Sequence, residues 1–217
     1  MMLLPNLIAR FLATASLLAP KLTSRLAKPV LRLDCNDEFH LAIFSDLHYG
    51  EEEDGWGITQ DVNSTRVMNN ILDYEVPDFV ILMRPLVERG LKWASTYGNH
   101  DSQYNLSRHA LFDEESKNSV SYTQHASKTL GITNYYLPLY PSLSRSDCES
   151  PVAILWFFDS QGGAPFQADA DSEEIPDWVT PDIVSWFVAE RKVLAEKWGP
   201  LPSLAFVHIP PTAFLTV

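Results

Sequence analysis

The chain has 217 residues, of which 46% are hydrophobic and 12% aromatic, and its 28 acidic and 16 basic residues give a net charge of −12. This composition is too apolar for a disordered chain, and the acidic balance excludes a general nucleic-acid binder, which needs a basic surface. The length suits one domain with an ordinary hydrophobic core.

The charge is unevenly distributed along the chain. Residues 1–33 contain five basic residues and no acidic one, whereas residues 34–217 sum to −17. This change predicts a basic leader over 1–33 and one folded domain over 34–217. The leader, with its apolar stretch 11–19, fits a secretory signal or membrane-proximal anchor, a mitochondrial presequence, or an N-terminal helix without a targeting role. No stretch reaches the ~20 apolar residues of a membrane-spanning helix.

Two further features bear on the compartment. Asn63-Ser64-Thr65 and Asn105-Leu106-Ser107 are glycosylation sequons. Cys35 and Cys148 could pair in an oxidising compartment or stay reduced in the cytosol. The leader and the sequons favour the secretory pathway, with an extracellular or vacuolar destination, and the cytoplasm is the alternative.

The order of apolar patterns predicts the elements. Short apolar runs predict buried strands at residues 40–45, 78–82, 93–97, 152–158 and 204–207. An apolar stripe predicts a helix over 64–74, residues 85–91 a short helical piece, and the start signal Thr180-Pro181-Asp182 a helix that ends before Gly199. Residues 102–150 and 159–178 are expected to be rich in loops. Strands that alternate with helices predict an α/β layered fold with a mostly parallel sheet.

Polar side chains follow three of the predicted strands. They are Asp46 and His48 after the first strand, Asn99, His100 and Asp101 after the third, and His208 at the end of the last. Because ligands bind at the carboxyl ends of strands in open α/β sheets, we expect these side chains to converge. Carboxylate, amide and imidazole groups suit divalent metals, and the i, i+2 spacing of Asp46 and His48 on an extended segment would point both toward one ion.

Four segments carry a resemblance to a known family. They are FSDLHYG (44–50), WASTYGNHD (93–101), ILWFFDSQGG (154–163) and SLAFVHIPP (203–211). The sequence resembles the calcineurin-like metallophosphoesterase superfamily, in its fungal branch related to purple acid phosphatases. The resemblance implies a β-sandwich flanked by helices and a two-metal site, holding iron, manganese or zinc, that hydrolyses a phosphoester of a protein or a small molecule.

The resemblance also implies roles for the strand-end residues. Asp46 and His48 would hold the first metal, and Asn99 and His208 the second. His100 would protonate the leaving group or steady the phosphate, and Asp101 would orient His100. Two metal ions can clamp the phosphate oxygens and activate a water molecule for attack.

The sequence departs from the family pattern at two places. The family carries Gly-Asp after its second strand, where this chain has Met83-Arg84-Pro85, and no Gly-His-x-His motif occurs before Val217. We therefore expect an incomplete domain that binds metal weakly and has little or no phosphatase activity. A gene-model or splicing artefact and a divergent paralogue would both explain the departures.

Two other functions stay open on the sequence alone. One is a catalytically inactive binding protein that keeps the phosphoesterase fold. The other is an unrelated hydrolase with one metal held by Asp46, His48 and His208. The acidic run 51–54 is expected to be a solvated loop without ligands, and the oligomeric state is not predicted.

Overall fold

The fold is described from a computed structural model. It describes residues 28–52, 54–81, 89–101, 103, 106–127, 130–144, 149–169 and 171–211. The strands are β1 (Leu31–Arg32), β2 (Leu41–Ile43), β3 (Phe79–Ile81), β4 (Trp93–Ala94), β5 (Tyr135–Tyr140), β6 (Ala153–Phe158) and β7 (Ser203–Val207). The helices are α1 (Gly57–Glu75), α2 (Arg108–Ser116) and α3 (Pro181–Trp198).

Two sheets pack face to face between helices. One sheet has the order β2-β3-β4 with parallel pairing throughout. The other has the order β1-β5-β6-β7 and is mixed, because β5 and β6 are antiparallel while the outer pairs are parallel. The predicted α/β layered fold with mostly parallel strands is thereby confirmed.

The largest core cluster lies between the two sheets and contains residues of both. Phe79 and Ile81 of β3 are buried together with Leu155 and Phe157 of β6. The rings of Tyr135 and Phe157, which face each other across β5 and β6, stack with centroids 4.5 Å apart. Removing this apolar surface from water is the main force that holds the two sheets together.

The helices cover the outer faces of the sheets. Met68 and Leu72 of α1 are buried against Val80 of the three-stranded sheet. Leu194 of α3 is buried against Ile154 and Trp156 of the four-stranded sheet. The strands β3 and β6 are therefore buried on both faces, as their continuous apolar sequences require, whereas the edge strand β7 leaves Leu204 54% exposed.

The helix α1 is longer than its predicted stripe. It begins at Gly57 instead of residue 64 and ends at Glu75, followed by the capping residue Val76, which has φ 44° and donates its N–H to the carbonyl of Leu72. Val67, a member of the predicted stripe, is 53% exposed. The buried stripe is therefore narrower than predicted. The helix α3 runs from Pro181 to Trp198 as predicted, with proline at its start.

The expectation of a loop-rich region over 102–150 is wrong for α2 and β5. Few apolar residues mark α2, which is capped by the Ser107 hydroxyl accepting from the Ala110 N–H. Pro138 interrupts the strand pattern of β5. A proline has no N–H to donate to a neighbouring strand. Pro138 is tolerated because its partner in β6, Ile154, donates its N–H to the Pro202 carbonyl on the other side and not to β5.

The last residues of the predicted basic leader belong to the folded domain. The strand β1 precedes residue 34, and Leu31 is buried in the main core while pairing with β5. The division at residue 34 stays a prediction of composition, and the chain is already part of the sheet before it. The predicted helical piece 85–91 falls mostly on residues 82–88, outside the described residues. No helix in the described ranges is long and apolar enough to cross a membrane.

Candidate metal centre

The strand registers bring the predicted site residues to one edge of the sandwich. Ile43 of β2 and Ala94 of β4 both stand level with Ile81 of β3. In the other sheet, Phe158 of β6 stands level with Val207 of β7. The segments that carry the polar side chains therefore leave both sheets at the same end.

The four predicted metal ligands lie close together. The His48 Nε2 is 3.0 Å from the Asp46 Oδ1, and the His208 Nε2 is 3.1 Å from the Asn99 Oδ1. The two pairs meet where the His208 Nε2 lies 3.9 Å from the Asp46 Oδ1. The segments after β2, β4 and β7 thus contribute donors to one cluster.

The backbone brings Asp46 and His48 together in an unexpected way. The predicted extended geometry is wrong, because both residues have positive φ values, 59° for Asp46 and 52° for His48. Such left-handed conformations are uncommon for non-glycine residues, although Asp and His adopt them more often than most. The two side chains therefore meet within hydrogen-bond distance from a backbone that is not extended.

The two predicted catalytic residues, His100 and Asp101, have different surroundings from each other. The His100 ring lies beside the His48 ring, with centroids 4.7 Å apart, and its side chain is 42% exposed. The Asp101 carboxylate accepts a hydrogen bond from the Gly98 N–H and shapes the turn. Burial raises the pKa of Asp101, against the opposing effect of the Gly98 N–H and the Arg108 charge. The orientation of His100 by Asp101 stays a prediction.

Glu51 joins the cluster, although the sequence predicts a solvated loop there. Its Oε2 lies 2.8 Å from the His48 Nδ1, its Oε1 lies 3.8 Å from the His100 Nδ1, and its side chain is 20% exposed. The hydrogen bond to Glu51 raises the pKa of His48, partly offset by burial. His48, Glu51 and His100 are close enough to form a metal-binding group. The sequence does not identify Glu51 as a site residue, because it lies in an acidic run and is an acidic residue like its exposed neighbours Glu52 and Asp54.

Glycines allow the loops to approach the cluster. A Cβ on Gly98 would lie 2.8 Å from the His208 Nε2, so a side chain there would displace the imidazole. Gly163 has φ 75°, and a Cβ on it would lie 2.0 Å from the Asn99 carbonyl oxygen. These two positions need glycine because the loops after β4 and β6 pack directly on the site.

A buried ion pair supports the turn that carries Asn99 and His100. The Arg108 guanidinium lies 2.8 Å from the Asp159 Oδ1 and donates to the Gly98 carbonyl at 2.9 Å. The Asp159 side chain is 3% exposed and also accepts from the Gln161 N–H. The sequence assigns no role to Asp159. The structure makes it the anchor that joins the end of β6 to the start of α2.

The donor set fits a divalent metal ion. Two ligand atoms bound about 2.1 Å from one ion lie about 3 to 3.5 Å apart, which is close to the distances within both pairs. Carboxylate, amide and imidazole donors suit manganese, iron or zinc.

Met83, Arg84 and Cys148 lie outside the described residues, and Cys35 is exposed.

Comparison with known proteins points to phosphatases. The chain is 25% identical to Phosphatase DCR2 of Saccharomyces cerevisiae, in a match that covers 86% of this chain and 37% of the relative. It is 22% identical to Probable inactive purple acid phosphatase 14 of Arabidopsis thaliana, covering 85% of this chain and 56% of the relative. The chain therefore spans little more than half, or less, of the curated relatives it matches. No protein-family model and no solved structure matches it.

Proposed function

We propose that this chain is a metal-dependent phosphoester hydrolase of the calcineurin-like type with a weak catalytic centre. The observation that carries the proposal is the convergence of Asp46, Asn99 and His208, which follow three different strands in two sheets. The His208 Nε2 lies 3.1 Å from the Asn99 Oδ1 and 3.9 Å from the Asp46 Oδ1. A core histidine would need one or two hydrogen-bond partners, whereas four side chains with metal-ligand atoms meet here at the carboxyl ends of the strands. The similarity to a yeast protein named a phosphatase supports the reaction class.

The residues divide into ligands and a proton donor. Asp46 and His48 would hold one metal ion, and Asn99 with His208 a second. Bound metal ions would supply charge neutralisation at the phosphate and an acidified water molecule. His100, which lies beside His48 and is partly open to solvent, would give a proton to a departing alkoxide or hydrogen-bond a phosphate oxygen.

The proposed activity is low for a reason within the chain. The sequence after β3 reads Met83-Arg84, where the family has the aspartate that bridges its two metals. Without that carboxylate, the site would lack the negative charge that holds two dications close together. One of the relatives is itself named as inactive.

Hydrolysis of a generic aryl phosphate in the presence of Mn²⁺ tests this function. We expect slow phosphate release that is lost in His100→Ala and retained in His109→Ala, whose histidine is exposed on α2. Fast turnover lost in His100→Ala would keep the reaction class and contradict the weak centre. Release unaffected by His100→Ala, or no metal binding at all, would overturn the proposal and favour a binding protein on the same fold.

A further inference from the structure

One carboxylate faces the same ring nitrogen of two histidines. The Glu51 Oε2 lies 2.8 Å from the His48 Nδ1, and the Glu51 Oε1 lies 3.8 Å from the His100 Nδ1. The first distance is a hydrogen bond, and the second leaves the carboxylate and the His100 ring adjacent. Glu51 is therefore placed between the metal-ligand candidate and the proton-donor candidate.

The other ring nitrogen of His48 faces the metal-ligand candidates. The His48 Nε2 lies 3.0 Å from the Asp46 Oδ1, the oxygen that the His208 Nε2 also approaches. A neutral imidazole carries one N–H and one lone pair, and an ionised carboxylate can only accept. Both ring nitrogens of His48 face a carboxylate, but Glu51 is closer and less exposed, at 2.8 Å and 20% against 3.0 Å and 63% for Asp46. The neutral ring therefore keeps its proton on Nδ1, facing Glu51, and directs the Nε2 lone pair toward Asp46. Histidines that bind metals commonly donate their other N–H to a carboxylate in this way.

The backbone at Glu51 is fixed by the helix α1. A Cβ on Gly57 would lie 1.7 Å from the Glu51 carbonyl oxygen, so the loop and the first residue of the helix are in close contact. The Gly50 N–H donates to the Asp61 carboxylate at 3.1 Å, one helical turn further along. These contacts place Glu51 independently of any bound ion.

We propose that Glu51 is a positioning residue that holds His48 with its proton on Nδ1 and aligns His100 beside it. The inference rests on the proposed function, since it assigns the His48 Nε2 to a metal ion. Glu51 acts through the two histidines and does not itself bind the metal. Loss of such a carboxylate partner typically lowers metal affinity about 10- to 100-fold.

The tautomer of His48 can be observed directly in the metal-free protein. Long-range ¹H–¹⁵N NMR spectra, recorded along a pH titration that carries the His48 ring to its neutral form, distinguish Nδ1–H from Nε2–H. We expect Nδ1–H in the wild-type chain and in Glu51→Gln, whose amide oxygen can still accept this proton. We expect a mixture dominated by Nε2–H in Glu51→Ala. The matched control is Glu52→Ala, which removes an exposed acid of the same run and leaves the tautomer unchanged.

Zinc affinity measured by calorimetry on the same four proteins completes the test. We expect Glu51→Ala to bind Zn²⁺ about 10- to 100-fold more weakly than Glu52→Ala, with Glu51→Gln close to wild type. An unchanged tautomer in Glu51→Ala would overturn the positioning role. Glu51→Gln binding zinc as weakly as Glu51→Ala would also overturn it and make Glu51 a ligand. A wild-type chain that binds no zinc would refute the proposed function, while the tautomer would still decide the role of Glu51.

Discussion

The His208 Nε2 lies 3.1 Å from the Asn99 Oδ1, although 109 residues separate the two in sequence. Asn99 follows β4 of the three-stranded sheet, and His208 follows β7 of the four-stranded sheet. The pair therefore spans the interface between the sheets at the edge where the other donors lie. Its geometry depends on the small residue next to Asn99, since Gly98 leaves just enough space for the His208 ring.

Substitution of Gly98 by alanine should separate His208 from Asn99. The new methyl group would lie 2.8 Å from the His208 Nε2, so the imidazole must move. We expect zinc affinity to fall at least about tenfold, because a displaced ligand costs no less than a lost outer partner. Gly55→Ala is the control, since its Cβ would make an ordinary contact at 3.8 Å. Equal zinc affinity in the two variants, measured by calorimetry, would show that this histidine does not bind the metal.

The buried ion pair of Arg108 and Asp159 should be important for stability. Arg108→Met leaves the Asp159 carboxylate, 3% exposed, without its cation. Removing one partner of a buried pair typically costs about 3–5 kcal/mol of unfolding free energy. Urea denaturation followed by circular dichroism measures this change.

The control for the buried pair is an exposed one on α3. Lys192 lies 4.0 Å from Glu196, and both side chains are largely in solvent. We expect Lys192→Met to change the unfolding free energy by less than about 1 kcal/mol. A similar small change in Arg108→Met would show that Asp159 is satisfied without the arginine.

Glu115 on α2 should make the stability depend on pH. Burial raises the pKa of Glu115 to about 7 from its ordinary value of 4.5, against the opposing hydrogen bonds from Thr123 and Ser95. Tyr97 and Tyr135 face the same carboxyl, and the charge of Asp101 also acts on it. The folded protein therefore binds more protons than the unfolded chain between these two pH values.

The sign of the effect follows from proton linkage. The contribution of protonated Glu115 is fully present below about pH 4.5 and is lost as the pH rises to about 7. The shift corresponds to roughly 3 kcal/mol. Glu115→Gln should remove this fall, so the difference in unfolding free energy between variant and wild type should grow in favour of the variant from pH 4.5 to pH 7. A constant difference across this range would mean that Glu115 titrates normally.

Sequence patterns predicted most of the fold where apolar residues dominate. The runs that became β2, β3, β6 and β7 are continuous, and α3 has a proline at its start. The pattern failed where stability comes from tertiary contacts. Pro138 interrupts the apolar pattern that would identify β5 as a strand. The helix α2 depends on the Ser107 cap and on the ion pair of Arg108 with Asp159.

Part of the candidate site could be predicted, because several of its residues follow strands that apolar runs predict. Asp46, Asn99 and His208 follow strands that the sequence reveals, and the parallel register then places them together. Glu51 could not be recognised, because its distance from His48 and His100 depends on the positive φ values at Asp46 and His48 and on the contact with α1. Local backbone geometry of this kind leaves no periodic pattern in the sequence.

The most direct test of the account is the zinc affinity of Asp46→Ala, Asn99→Ala and His208→Ala, measured by calorimetry beside His109→Ala as a control. The three replaced residues come from three separate strand ends, so a common site predicts that each variant binds at least about tenfold more weakly, with His109→Ala unchanged. Three variants that bind zinc as tightly as the wild-type chain would contradict a metal centre at this edge of the sheets.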